Sequence, residues 1–189
     1  MEKPPIITPL HKRTGSRFLI PVLFVLFAGF GIMVLLAYLA MPKPPKESEL
    51  IQNFHKNRAT FEQLRDMLQA DVHLRRIADW GIETRDPFYL GYPSASSFPV
   101  DRYKRYLALL KQAGCQLASR SEGEHCYPSI LVWGWGWAGN TKHIGICWTD
   151  EIPTNQIATL DGYRGQSQYP ERQIAFKHID EKWYLWTDL

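Results

Sequence analysis

Cysteine is scarce in this 189-residue chain: Cys115, Cys126 and Cys147 are its three, and none precedes position 115. A disulfide-built scaffold is therefore excluded, since three thiols close at most one internal bridge. A lipid-bearing cysteine after the N-terminal apolar run is excluded as well. Charge of one sign is also lacking. Residues 1–17 hold Lys3, Lys12, Arg13 and Arg17 against Glu2, while the rest of the chain carries 18 basic and 18 acidic residues. A neutral body has no basic face with which to neutralise phosphates, so no nucleic-acid partner is expected. There is no repeat of 20–50 residues. Gly162-Tyr163-Arg164-Gly165-Gln166 lacks the strand–loop–helix setting of a phosphate loop. His125, Cys126, His143 and Cys147 fit no standard zinc spacing, so no metal and no cofactor are expected. Disorder is excluded by a composition that is 45% hydrophobic and 22% charged.

Phe18 to Met41 is present as 24 positions without a charge. As a helix at ~1.5 Å per residue it extends ~36 Å, enough to cross a ~30 Å hydrocarbon core. The run is too long for a signal peptide, and Tyr38 puts bulk where a cleavage site wants a small residue. A transmembrane helix over 18–41 is the expectation, with the lipid bilayer as a partner. The basic tail 1–17 favours an N-terminus inside the cytoplasmic (inner) membrane and a single pass that places the C-terminal domain in the periplasm. The proline-rich stretch 42–46 reads as an extended stem, and 47–189 as the extracytoplasmic domain.

Within 47–189, Leu50, Phe54, Phe61, Leu64 and Leu68 recur at helical spacing. Asp101–Ala113 reads as a second helix, capped by Asp101 and stopped by Gly114. Asp86–Pro99, with its Gly, Pro and Ser, reads as loop. After Gly114 the texture turns to strands. Ser129–Ala138 and His143–Thr149 flank the hairpin turn Gly139–Lys142, Gln173–Ile179 and Lys182–Thr187 flank Asp180-Glu181, and Gln116–Ser119 reads as an edge strand. Helices first and strands later predict an α+β fold: an N-terminal transmembrane helix, then a two-layer domain of helices packed on an antiparallel sheet.

Three stretches carry a resemblance. They are Glu49-Leu50-Ile51-x-Asn53-Phe54-x-x-Asn57-Arg58-x-x-Phe61-Glu62-x-Leu64, then Lys142-x-x-Gly145-Ile146 with Leu160-Asp161, and Phe176-x-His178-Ile179-x-x-x-Trp183-Tyr184-Leu185. Over about residues 47–187 the chain resembles a loose group of uncharacterised bacterial envelope proteins, lipoproteins or single-span membrane proteins with a small outward-facing α+β domain. The resemblance implies an outward orientation and that fold, and brings no catalytic residues with it.

Trp133-Gly134-Trp135-Gly136-Trp137 is the most unusual pentapeptide. In a strand Trp133, Trp135 and Trp137 point one way and the glycines the other. The hairpin pairs odd with even positions, so the indoles share a face with Ile144, Ile146 and Trp148. Core packing is the plainer reading, and a binding platform is the functional one. Arg164 is a second candidate anchor for a partner. Cys115 and Cys126 are the candidate disulfide, and Cys147 reads as a small buried residue. His143, Cys147 and His178 are the residues on which a catalyst would have to draw, but no surrounding motif assembles them. No catalytic residue is therefore assigned. The expected function is a membrane-anchored, non-enzymatic periplasmic domain that binds a protein or envelope component, an immunity-type protein being one version. The alternatives are an envelope enzyme, either hydrolase or thiol catalyst, and a structural subunit of a membrane complex.

Overall fold

The computed structural model describes residues 29–33, 35–36, 43–94, 96–120, 127–137, 140–164 and 174–188. Residues 44–189 form one compact unit, to which the following applies. Helices α1 (Glu47–Lys56) and α2 (Arg58–Ala70) carry the predicted apolar stripe, and Leu50, Phe54, Phe61, Leu64 and Leu68 are all buried. The single expected helix is broken at Asn57, whose side-chain amide donates to Asn53 O at 3.2 Å and to Asn53 Oδ1 at 2.7 Å. Lys46 is the N-cap of α1, and its backbone N–H donates to the Glu49 carboxylate at 3.0 Å.

Strands β1 (Leu74–Ala78), β2 (Gly81–Thr84) and β3 (Tyr89–Gly91) follow, then helix α3 (Val100–Ala113). Gly114 ends α3 at φ 67°, a left-handed conformation that suits glycine. Strands β4 (Leu117–Arg120), β5 (Pro128–Trp137) and β6 (Asn140–Trp148), the short helix α4 (Leu160–Arg164), and strands β7 (Ala175–Asp180) and β8 (Trp183–Thr187) complete the chain. The eight strands among the described residues join one antiparallel sheet in the order β3-β2-β1-β4-β5-β6-β8-β7.

Register explains the core. Ile82, Ile77, Ala118, Ile130, Ile146 and Leu185 are successive cross-strand partners, and every one is buried. Because paired residues share a face, this row is a continuous apolar line across six strands. Helical aromatics meet the same core: Phe54 and Phe61 lie 5.3 and 6.3 Å, ring centre to ring centre, from Trp183. The next row runs through Glu83, Arg76, Ser119, Ser129, Cys147 and Tyr184 on the other face. A bulge between Leu74 and Arg76 lets the adjacent Arg75 and Arg76 both pair with the buried Glu83 carboxylate.

Three expectations are corrected. The fold class, a transmembrane helix followed by two-layer α+β, does not describe the chain. One eight-stranded antiparallel sheet organises it, and the helices are few and short. Strands β1 and β2 lie where no strand was expected, β3 lies inside the expected loop Asp86–Pro99, and β4 is an internal strand rather than an edge. The physical reason is that the sheet grows by long-range pairing, and three- to five-residue strands leave little periodicity to read.

Second, among the described residues no helix is long and apolar enough to cross a membrane. The single-pass reading of 18–41 and the inner-membrane location with a periplasmic domain are therefore not supported. Most of 18–41 lies outside the described residues, and its described helical positions are 29–33 and 35–36. Run length measures apolarity, whereas spanning requires one continuous helix that satisfies every backbone group. Third, the last hairpin turns at Glu181-Lys182 instead of Asp180-Glu181, with a bulge between His178 and Asp180. Phe176 and His178 consequently pair with Trp186 and Tyr184, and Lys177 pairs with Leu185. A one-residue slip exchanges the two faces of a strand, which is what separates this register from the expected one.

Candidate functional site

The tryptophan stripe keeps its expected odd-with-even pairing but not the expected turn: Asn140, Thr141 and Lys142 belong to β6, so the register moves by four residues and Trp133 pairs with Ile144, Trp135 with Lys142 and Trp137 with Asn140. Trp133 packs against the core, and Trp135 is 39% exposed. The side chains of Trp137 and Arg164 lie outside the described residues, as does all of Cys126. Cys115 and Cys147 are free thiols. Burial pushes the Cys115 thiol up from its ordinary value to about 12 and raises that of Cys147 as well. Neither is thiolate at neutral pH, so neither has the character of a nucleophile.

His143 has a partner that no motif announced. Its Nδ1 lies 2.6 Å from Asp188 Oδ2, and its backbone N–H donates to Asp188 Oδ1 at 2.5 Å. With the proton on Nδ1, the carboxylate fixes the tautomer and leaves Nε2 as an acceptor. Thr187 Oγ1 donates to His143 O at 3.0 Å, so the same contacts fasten the end of β8 to β6. Cys147 lies in the same strand but pairs with Ser129 and Tyr184, in a different cross-strand row from His143. His178 Nε2 lies 2.9 Å from Glu181 O across its own turn. The three residues proposed for a catalyst are thus not brought together. Among the described residues no group of three His, Cys, Asp or Glu converges as a metal site.

A surface that the sequence reading passed over lies at the β3 end of the sheet. Phe88, Leu90 and Tyr92 are 69%, 59% and 68% exposed, and Trp80, in the β1–β2 turn, is 42% exposed. Among the described residues nothing pairs with the outer side of β3. Gly81 holds this edge close to β2. A Cβ at Gly81 would collide with Gly91 O and stand 2.7 Å from Gly91 C, and its φ is +136°. Beside the edge is a cleft of about 300 Å³ lined by His73, Asp86, Phe88, Tyr89, Ser96 and Ser97 among others. Clustering of exposed Phe, Leu and Tyr at alternate positions was the available signal, but Asp86–Pro99 reads as a loop by its Gly, Pro and Ser.

Comparison with protein-family models, with curated proteins and with solved structures gives no match to this chain. The resemblance of residues 47–187 to envelope domains is neither supported nor opposed by it.

Proposed function

We propose that this chain is a non-enzymatic binding domain that holds a protein partner at the β3 edge. The observation that carries the reading is the exposure of Leu90 on, and of Phe88 and Tyr92 beside, an edge strand with no neighbour on its outer side among the described residues. Natural edge strands are ordinarily blunted by shortness, proline, lysine, bulges or a covering segment; β3 is short and lies between Pro87 and Pro93, but residues 87–93 hold no lysine and nothing covers the strand among the described residues. An open edge offers backbone hydrogen bonds to an added strand, and alternate side chains supply the specificity.

A second reading, an enzyme with His143 as proton acceptor, is favoured by the Asp188 contact at 2.6 Å. A thiol catalyst has no such support, because Cys147 is fully buried. Two variants of the tagged full chain separate the readings. Phe88→Ser/Tyr92→Ser is expected to lose the copurifying partner while melting like the parent, and His143→Ala to keep it. Loss with His143→Ala and retention with the edge variant would reverse the assignment.

A further inference from the structure

We infer that the partner seated at this edge is a second copy of the chain, the two sheets joining by antiparallel β3–β3 pairing about a two-fold axis through Leu90. The inference rests on the reading of the edge as a binding surface and names its occupant. Pro87-Phe88-Tyr89-Leu90-Gly91-Tyr92-Pro93 is symmetric in character about Leu90 except at Tyr89 and Gly91. In a two-fold antiparallel register each residue 90 − n faces residue 90 + n of the other copy. Leu90 then meets Leu90, and Phe88 and Tyr92, which flank the three-residue strand, are brought to the same end of the seam twice. Aromatic cross-strand pairs of this kind are favourable, and an isologous interface requires such self-complementarity. A partner of unrelated sequence has no need of it.

Charge and chain geometry agree. Residues 87–93 contain no charged side chain, so no like charges meet across the axis. Pro87 and Pro93 stand three residues either side of Leu90 and bound the segment available for pairing. The assembly also closes at two copies. The opposite edge, β7, is occupied along part of its length by residues 155–157: Ile157 N–H donates to Phe176 O and Phe176 N–H to Asn155 O, each at 2.8 Å. Two copies joined through β3 leave no second bare edge of this kind among the described residues.

The area sets the strength. With ~150–250 Å² per aromatic side chain, the exposed parts of Phe88, Leu90, Tyr92 and Trp80 come to roughly 400 Å² per copy. Twice that falls below the ~1,200 Å² of standard interfaces, in the class of weak, concentration-dependent association.

The test is sedimentation velocity of the full chain over a concentration series. The parent is expected to pass from monomer to dimer as concentration rises. Leu90→Lys sets two ammonium groups against each other on the axis and is expected to weaken self-association roughly a hundredfold. Leu90→Glu should do the same, and mixing the two variants should restore a dimer containing one of each. Leu90→Cys provides an independent reading. Cross-strand Cα separations of ~4.5–5.5 Å suit a disulfide, so mild oxidation should link two copies through position 90. A parent monomeric at every concentration, or a Leu90→Lys variant that associates like the parent, overturns the self-pairing. If the parent is monomeric but Leu90→Lys still loses a copurifying protein, self-pairing falls and the binding reading stands. If Leu90→Lys changes neither, both fall.

Discussion

The two edges of the one sheet are finished differently. At β7 a passing segment, residues 155–157, adds backbone hydrogen bonds to Phe176 and covers part of the edge. At β3 the strand is three residues long and its flanking aromatics face outward. Behind β7 lies β8, where the fully buried Trp183 meets Phe54 and Phe61. Behind β3 lies β2, which holds its neighbour through the backbone approach of Gly81 to Gly91. One end is tied into the core by a fully buried indole, whereas in β3 only the half-buried Tyr89 packs against the core. Stability is expected to concentrate at the first end and recognition at the second, since binding surfaces are drawn from the less stabilised parts of a fold.

The largest effect is expected from Trp183→Ala. Removing an indole that two phenylalanines contact leaves a cavity at the β8 end and should cost about 3–5 kcal/mol, read from urea unfolding. A loss under 1 kcal/mol would mean that the β8 end is not the stable one.

Gly81→Ala attacks the opposite end. The added methyl meets Gly91 backbone, which cannot yield as a flexible side chain does, and should cost about 1–3 kcal/mol. Amide exchange should accelerate at residues 89–91 well before it does in β8. Uniform acceleration across the sheet would show that the β3 edge is not a separately yielding element.

Ile157→Pro makes the two edges more alike by deleting the N–H that Ile157 donates to Phe176 O. The expected cost is about 1 kcal/mol, with faster exchange confined to the β7 side. Unchanged exchange there would show that the covering segment contributes nothing to that edge.

The smallest effect at neutral pH is that of the Cys115 thiol, which shows only as pH rises. The folded-state pKa of Cys115 is raised from 9.0 to about 12 by burial. Below pH 9 the thiol is neutral in both folded and unfolded chains, so its contribution is fully present. Above it the unfolded chain releases a proton that the folded chain retains, and stability falls as pH climbs toward 12. Alkylation of Cys115 at pH 8 should accordingly be slow in the native protein and fast in urea. Equal rates would place the thiol at the surface.

Much of the core was legible in the sequence. The spacing of Leu50, Phe54, Phe61, Leu64 and Leu68 marks the buried helical stripe, Gly114 marks the end of α3, and the face that Trp133 shares with Ile144 follows from odd-with-even pairing, although the turn itself lies earlier than the expected 139–142. The candidate sites were legible only in part. His143 was singled out, but Asp188 stands 45 residues away in sequence and enters its neighbourhood only because β8 pairs with β6. Phe88, Leu90 and Tyr92 were in plain view, yet their exposure depends on β3 being the last strand of the order. The reading of 18–41 as a span came from apolarity alone, and the last hairpin slipped by one residue because a bulge has no signature in composition.

The chain by itself determined which residues are apolar on one side of each element, where helices stop and which segments turn, because those properties are set by neighbours within a few positions. Only the tertiary structure decided the strand order, which edge is covered and which has no neighbour among the described residues, and the carboxylate that holds His143. Each of these depends on pairings between distant segments, whose free energy is a sum over contacts that no local window contains.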